Sequence, residues 1–462
     1  VAGYRPTGPA GEARLGWLAD SATSFQPLWL VIVPAVGGLV SGYIVFKFAP
    51  EAEGHGTDAA IAAYHCGQGR IRPRVPIVKL ITSAITIGTG GSAGREGPIA
   101  QIGAGFGSLL ATALRLSVSD HRILLACGMG AGVGAIFRAP LAGALFAAEV
   151  LYCSPEFEPE VIIPAGIASA VAYCTFGVIF GWQPLFQTPS FAFDNPWQLG
   201  PYLLLAVICA MMAMLYTRTF YGVHALFKRL PGPRLLKPVV GAFLTGVLGV
   251  GLYFLFGKER AVLSVLSTGY GVLQEGLQNE AAMSAGLLLV VAFGKILTTS
   301  LTIGSGGSVG REGPIVQIGA SIGSTIGQRF KLSDEWVKTL LLCGAAGGIS
   351  ATFNAPIAGA FFAYEVLQRK GIGLFWLFYL LSAPLVAATT LDDIPNTQRS
   401  LFMIPALQVL TAFGLIKYFE IVKKQLDDCS RILNLPAHIT KMLKTPMREL
   451  EVALPVRMDN GK

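Results

Sequence analysis

Apolar residues in this chain run in long unbroken stretches and do not alternate with polar ones. "PLWLVIVPAVGGLVSGYIVF" (27–46), "PYLLLAVICAMMAMLY" (201–216), "KPVVGAFLTGVLGVGLYFLF" (237–256), "AGLLLVVAFGKILTTSLTI" (285–303) and "GIGLFWLFYLLSAPLVAA" (371–388) each approach the length of a spanning helix, about 20 residues. A membrane β-barrel would show a period of two, which these runs lack. The pattern predicts an all-α polytopic membrane protein. Stretches such as "GTGGSAGREGP" (88–98) are too glycine-rich for a continuous span. Helices broken at membrane depth persist only where protein or a water-filled cavity satisfies the loose backbone. Such breaks point to transport.

Composition and charge add orientation. Only 13% of the 462 residues are charged, against about 25% in soluble domains. The net charge of +8 gathers in "GRIRPRVPIVK" (Arg70, Arg72, Arg74, Lys79), in "FKRLPGPRLLK" (Lys228, Arg229, Arg234, Lys237) and near the C-terminus (Lys423, Lys424, Lys441, Lys444). The aromatic loop 181–200 has no Lys or Arg. Basic loops stay in the cytoplasm, so these three clusters are expected inside and 181–200 outside. They are short loops between spans, which argues against a nucleic-acid partner. The seven scattered cysteines contain no C-x-x-C, so neither a metal site nor a disulfide framework is expected.

The chain repeats itself. "KLITSAITIGTGGSAGREGPIAQIGAGFGS" (79–108) aligns without a gap on "KILTTSLTIGSGGSVGREGPIVQIGASIGS" (295–324), and 126–151 aligns on 342–367. Upstream, "GHGTDAA" (54–60) lies opposite "GYGVLQE" (269–275) with one residue of slippage. Two homologous membrane repeats of opposite topology place a substrate site at their interface near the midplane. The expected organisation is an extracellular loop at 1–26, repeat I at 27–182, an extracellular linker at 183–200, repeat II at 201–392, and a last helix with a cytoplasmic tail at 393–462. The second half has a long helix (201–227) with no counterpart in the first, so a helix is expected to precede Val1.

The duplicated motif carries the chemistry. Its glycines allow an extended, closely approaching backbone, and Pro98 suits the first turn of a helix. Glu96 then lies at a helix N-terminus, where backbone N–H groups lack intrahelical partners and attract anions. A carboxylate and a mobile anion would compete for that site, and protonating the carboxylate or swinging it aside would vacate it. The competing structural reading makes Glu96 and Glu312 helix caps paired with Arg95 and Arg311. "GMGAGVG" (128–134) superficially resembles a dinucleotide loop, but it sits in a Gly/Ala-rich helical stretch and its duplicate "GAAGGIS" loses the spacing, so packing is its expected role. No catalytic constellation converges, and neither enzymatic activity nor a cofactor is expected.

"GREGP" followed by "FRAPLAGALFAAEVL" resembles the CLC family of chloride channels and proton/chloride antiporters, from residue 28 to about 390. The resemblance implies a homodimer in the cell membrane, with one pore per subunit made of two inverted helical repeats and an anion site at the midplane. Glu96 matches the family's gating glutamate. The anion-binding positions implied are Gly54, His55 and Gly56, then Gly94, Arg95 and Gly97, then Gly310, Arg311, Glu312 and Gly313, with Phe402 at the pore tyrosine. His55 replaces a serine that donates to the inner anion; a neutral imidazole can donate one hydrogen bond, or the ring can face water at the cytoplasmic mouth. Glu312 replaces a phenylalanine and would repel chloride unless protonated or turned away. The second, intracellular glutamate of many antiporters falls at Val150, beside Glu149. That substitution favours a voltage- or pH-gated chloride channel, with a proton-coupled antiporter, or a carrier of another small anion such as fluoride, as alternatives.

Overall fold

The computed structural model describes residues 8–9, 12, 25–151, 159–188, 199–278, 283–353 and 355–368. The expectations for Phe402, for the lysines near the C-terminus and for the last helix lie outside the described residues. The first repeat contains α1 (Trp29–Phe48), α2 (Thr57–His65), α3 (Arg74–Gly88), α4 (Glu96–Ala113), α5 (Val118–Phe137), α6 (Pro140–Val150) and α7 (Pro159–Phe180). The second contains α8 (Leu199–Arg229), α9 (Leu236–Leu255), α10 (Tyr270–Gln278), α11 (Ala285–Gly304), α12 (Glu312–Arg329), α13 (Asp334–Phe353) and α14 (Pro356–Phe362). Helices α1 to α6 therefore correspond in order to α9 to α14. Six of the described helices are long and apolar enough to cross a membrane.

The breaks fall where the glycines demand them. Helix α3 ends at Gly88, and the chain runs without helix to Glu96, turning at Gly90 with φ +108°. Helix α11 ends at Gly304 and its turn is at Gly306, φ +111°. These are conformations that only glycine adopts cheaply. Each motif restarts a helix at its glutamate, and the proline two residues on, Pro98 or Pro314, lies in the first turn. There its missing N–H has no intrahelical acceptor to lose.

The glycine-rich run 128–134 lies within α5 and packs on α4. A Cβ on Gly128 would collide with the carbonyl of Gly103, and one on Gly103 with that of Gly128. Gly344 and Gly319 repeat this contact between α13 and α12. Among the described residues there is no β-strand, only one isolated bridge, so the run is a helix-packing surface of the small-residue kind common in membranes. G128V is expected to destabilise the protein by about 3 kcal/mol through overpacking, read as a lower melting temperature in detergent.

One basic residue departs from expectation. Arg70, Arg72 and Arg74 are exposed, but Lys79 is fully buried in α3 and is no part of a cytoplasmic loop. Its Nζ donates to the carbonyls of Ala52 (3.0 Å) and Gly54 (2.6 Å). Lys295, its counterpart in α11, is equally buried and donates to Ser267 (2.7 Å) and Ser264 (3.2 Å). Each lysine gathers carbonyls of the turn preceding a short helix, alongside donors from the rest of the core: Ser308 Oγ on Ala52, the Val309 N–H on Gly54, the Ala93 N–H on Ser267 and Gln317 Nε2 on Ser264.

Candidate functional site

The two motifs meet back to back. Gly94 and Gly310 exchange backbone hydrogen bonds, N–H to carbonyl, at 2.7 and 2.8 Å. Each of these two N–H groups is thus taken up by the other glycine's carbonyl, and anion donors must come from their neighbours. Around this bridge the contacts occur in pairs. Ser92 Oγ bonds to Thr298 (2.9 Å) and Thr299 (3.0 Å), while Ser308 Oγ accepts from Thr82 (3.0 Å). Phe137 meets Phe362 edge to face at 4.4 Å, and Phe146 meets Phe353 at 5.2 Å. This is the local pseudo-twofold symmetry that two inverted repeats produce.

Each glutamate is held from across the repeat boundary. Glu96 is buried, and its Oε1 accepts from the hydroxyl of Tyr270, the first residue of α10. Its Oε2 accepts from the N–H of Gly313 at 3.2 Å. The carboxylate therefore occupies the N-terminus of α12, the opposite repeat's helix, whereas the sequence placed it only at the start of its own. Glu312 is also buried, and its Oε1 accepts from Thr57 Oγ1 at 2.8 Å, at the first residue of α2. Glu312 Oε2 is buried without a hydrogen-bond partner. Both carboxylates line one cavity of about 20 Å³, whose other walls include Val133, Phe137, Ile349 and Phe353. That volume has room for about one water.

The motif arginines are not among the residues lining this cavity. Arg95 is ion-paired with Glu12 and keeps its Nε 3.9 Å from Glu96. Arg311 lies 3.8 Å from Asp58, over the rings of Phe220 and Phe353. His55 is buried and does not face water; its Nε2 contacts Asp58 at 2.8 Å, and its Nδ1 is buried without a partner. With the proton on Nε2, neutral His55 presents an acceptor at Nδ1; donation to an anion there needs the charged ring. Gly54 and Gly56 flank it at φ +80° and +89°, shaping the turn into α2, and a Cβ on Gly97 would meet the Glu312 carboxylate. The structure thus assembles Gly54, His55, Gly56, Gly94, Arg95, Glu96, Gly97, Gly310, Arg311, Glu312 and Gly313 into one region.

Sequence reasoning missed Thr57, Tyr270 and a second reciprocal pair. Glu149 accepts from the N–H groups of Ile357 (3.1 Å) and Ala358 (2.6 Å) at the start of α14. Glu365 accepts from Leu141 (3.1 Å) and Ala142 (2.7 Å) at the start of α6. Glu149 is therefore engaged as a cap, and the neighbouring Val150 side chain is buried. The signal for the pair was present, since Glu149 and Glu365 align within the duplicated segment.

Discontinuous helices that abut at buried carboxylates define a multi-pass membrane transport protein. The family described as voltage gated chloride channel matches residues 37–305 and 287–423. The "H(+)/Cl(-) exchange transporter ClcA" of Vibrio cholerae serotype O1 (strain M66-2) is 30% identical over 397 residues, covering 81% of this chain and 80% of that protein. The chain belongs to the voltage gated chloride channel family, and it is accordingly a transporter and not an enzyme. Two solved structures share the fold. One, titled "X-ray crystal structure of a slow cyanobacterial Cl-/H+ antiporter", has a TM-score of 0.67 and 21% identity, covering 86% of this chain and 90% of that one. The other, titled "Crystal structure of a CLC-type fluoride/proton antiporter", has a TM-score of 0.65 and 22% identity, covering 78% and 85%.

Proposed function

We propose that this protein exchanges chloride for protons across the membrane, with Glu96 as the gate. The observation that carries the reading is the seat of the Glu96 carboxylate on the Gly313 N–H at the start of α12. A helix N-terminus attracts anions, so a charged Glu96 competes with chloride for it. A proton neutralises the carboxylate and weakens its hold, and chloride enters as it leaves. Proton and anion then use the same place in turn, which is what exchange requires.

This reading replaces the emphasis on a channel that the valine at position 150 encouraged. The exchange-transporter name of the 30%-identical relative favours coupling, and Glu312 adds a second carboxylate to the cavity that Glu96 lines. The remaining anion donors in this reading are the backbone around Gly97 and Gly313, with His55 donating only when its ring is charged; Phe402, which has no donor, would only line the pore. A homodimer with one pore per subunit, in the cell membrane, completes it on the strength of the family resemblance.

The test is flux in proteoliposomes. With a chloride gradient imposed, chloride efflux and external pH are recorded together. Uphill proton movement opposite to chloride is the expected result. Chloride efflux without protons would restore the channel reading, and fluoride movement without chloride would change the substrate.

A further inference from the structure

We propose that Tyr270 is the latch of the Glu96 gate, a positioning residue that holds the carboxylate in its blocking seat through a hydrogen bond from the opposite repeat. The inference rests on the reading of Glu96 as the gate. Tyr270 opens α10, directly after Gly269 at φ +80°, where a Cβ would collide with the side chain of Gln317. The turn therefore delivers the phenol inward at a fixed angle. Its ring is buried and packs edge to face on Phe186, with centroids 5.6 Å apart. Only the hydroxyl is polar, and it donates to Glu96 Oε1.

Two donors on two oxygens fix the carboxylate. Tyr270 takes Oε1 and the Gly313 N–H takes Oε2. The Gly313 amide belongs to a helix terminus and would serve a chloride ion equally well, so it does not by itself favour the closed gate. The tyrosine does, because its short, rigid reach matches the carboxylate in this seat. The other charged or titratable groups facing Glu96 are Arg95, tied to Glu12, and Glu312 from α12. The cavity walls contributed by α5, α6, α13 and α14 are apolar. No other side chain is recorded donating to Glu96 at hydrogen-bond distance among the described residues.

A hydrogen bond to a charged group favours that charged form. In Y270F the ring packing stays and the bond goes. Chloride efflux at neutral pH is expected to rise about tenfold, the lower end of what such a bond supplies, and the pH of half-maximal efflux to move in the alkaline direction. In an E96A background the same substitution is expected to leave efflux within about twofold, since the latch has nothing left to hold. An equal change in both backgrounds would overturn the proposal, as would a Y270F protein with the parent's efflux and pH profile. If E96A alone kept the parent's pH dependence, the gate reading itself would fail, a separate result. Monodisperse elution checks folding. Should Y270F not fold, 3-fluorotyrosine at position 270 supplies a stronger donor in the same shape. Its profile is expected to move toward acid, and an unmoved profile would overturn the latch.

Discussion

Replacing Glu96 with glutamine or alanine is expected to abolish proton movement coupled to chloride and leave chloride efflux independent of pH. Glu96 is the one carboxylate among the described residues that accepts from an amide at the start of α12. In the proposed exchange its two states, charged on the amide and neutral away from it, are those in which proton and anion exclude each other. Glutamine keeps the shape and cannot ionise; alanine clears the seat altogether. Both variants should therefore conduct without acid activation. The check is simultaneous chloride and pH recording in proteoliposomes, with the protein-free baseline setting zero for protons. An E96Q protein still driving protons uphill would move the gate to another residue, with Glu312 the next to examine.

The second large effect is expected at Glu312. Its carboxylate lies at the mouth of the same helix, with Oε2 unpartnered and the cavity beside it. A charge about 5 Å from a bound anion, at an effective dielectric of about 20, repels it by about 3 kcal/mol. E312Q removes that repulsion while keeping an acceptor for Thr57. Chloride affinity in detergent should rise on the order of a hundredfold, measured by titration calorimetry. The sign of the pH dependence follows. Acid neutralises Glu312 in the parent, so parent and variant should converge as pH falls and separate as it rises. A gap that widened on acidification would contradict the electrostatic account.

Much of this was legible in the sequence because it repeats in a way that chance does not produce. The apolar runs set the spans, and the paired "GREGP" motifs set two helix starts at Glu96 and Glu312, where the structure has them. What was not legible is reciprocity. A linear alignment pairs Glu96 with Glu312, yet each carboxylate accepts a hydrogen bond from a side chain of the opposite repeat, Tyr270 or Thr57. Local rules see a glutamate and its own helix; the partner is chosen by the crossing of two repeats, which only tertiary structure fixes. Lys79 was misplaced for a similar reason. It follows three exposed arginines, and nothing local says that α3 has by then turned its face inward, although Lys295 inside an apolar run was a warning.

The exchange of caps between Glu149 and Glu365 has a consequence for how the protein is made. When the ribosome has delivered only the first half, the opening N–H groups of α6 have no carboxylate to meet. The one they need lies 224 residues beyond Leu141. Bare donors are costly in hydrocarbon, and the early half gains these two bonds only once the later half arrives. The debt is mutual, because α14 depends on Glu149 in the same way. Reciprocal contacts of this kind are what a twofold pair of identical chains would make. Fusing two such chains would lock in their dependence, so that neither half matures alone and damage to either strands both.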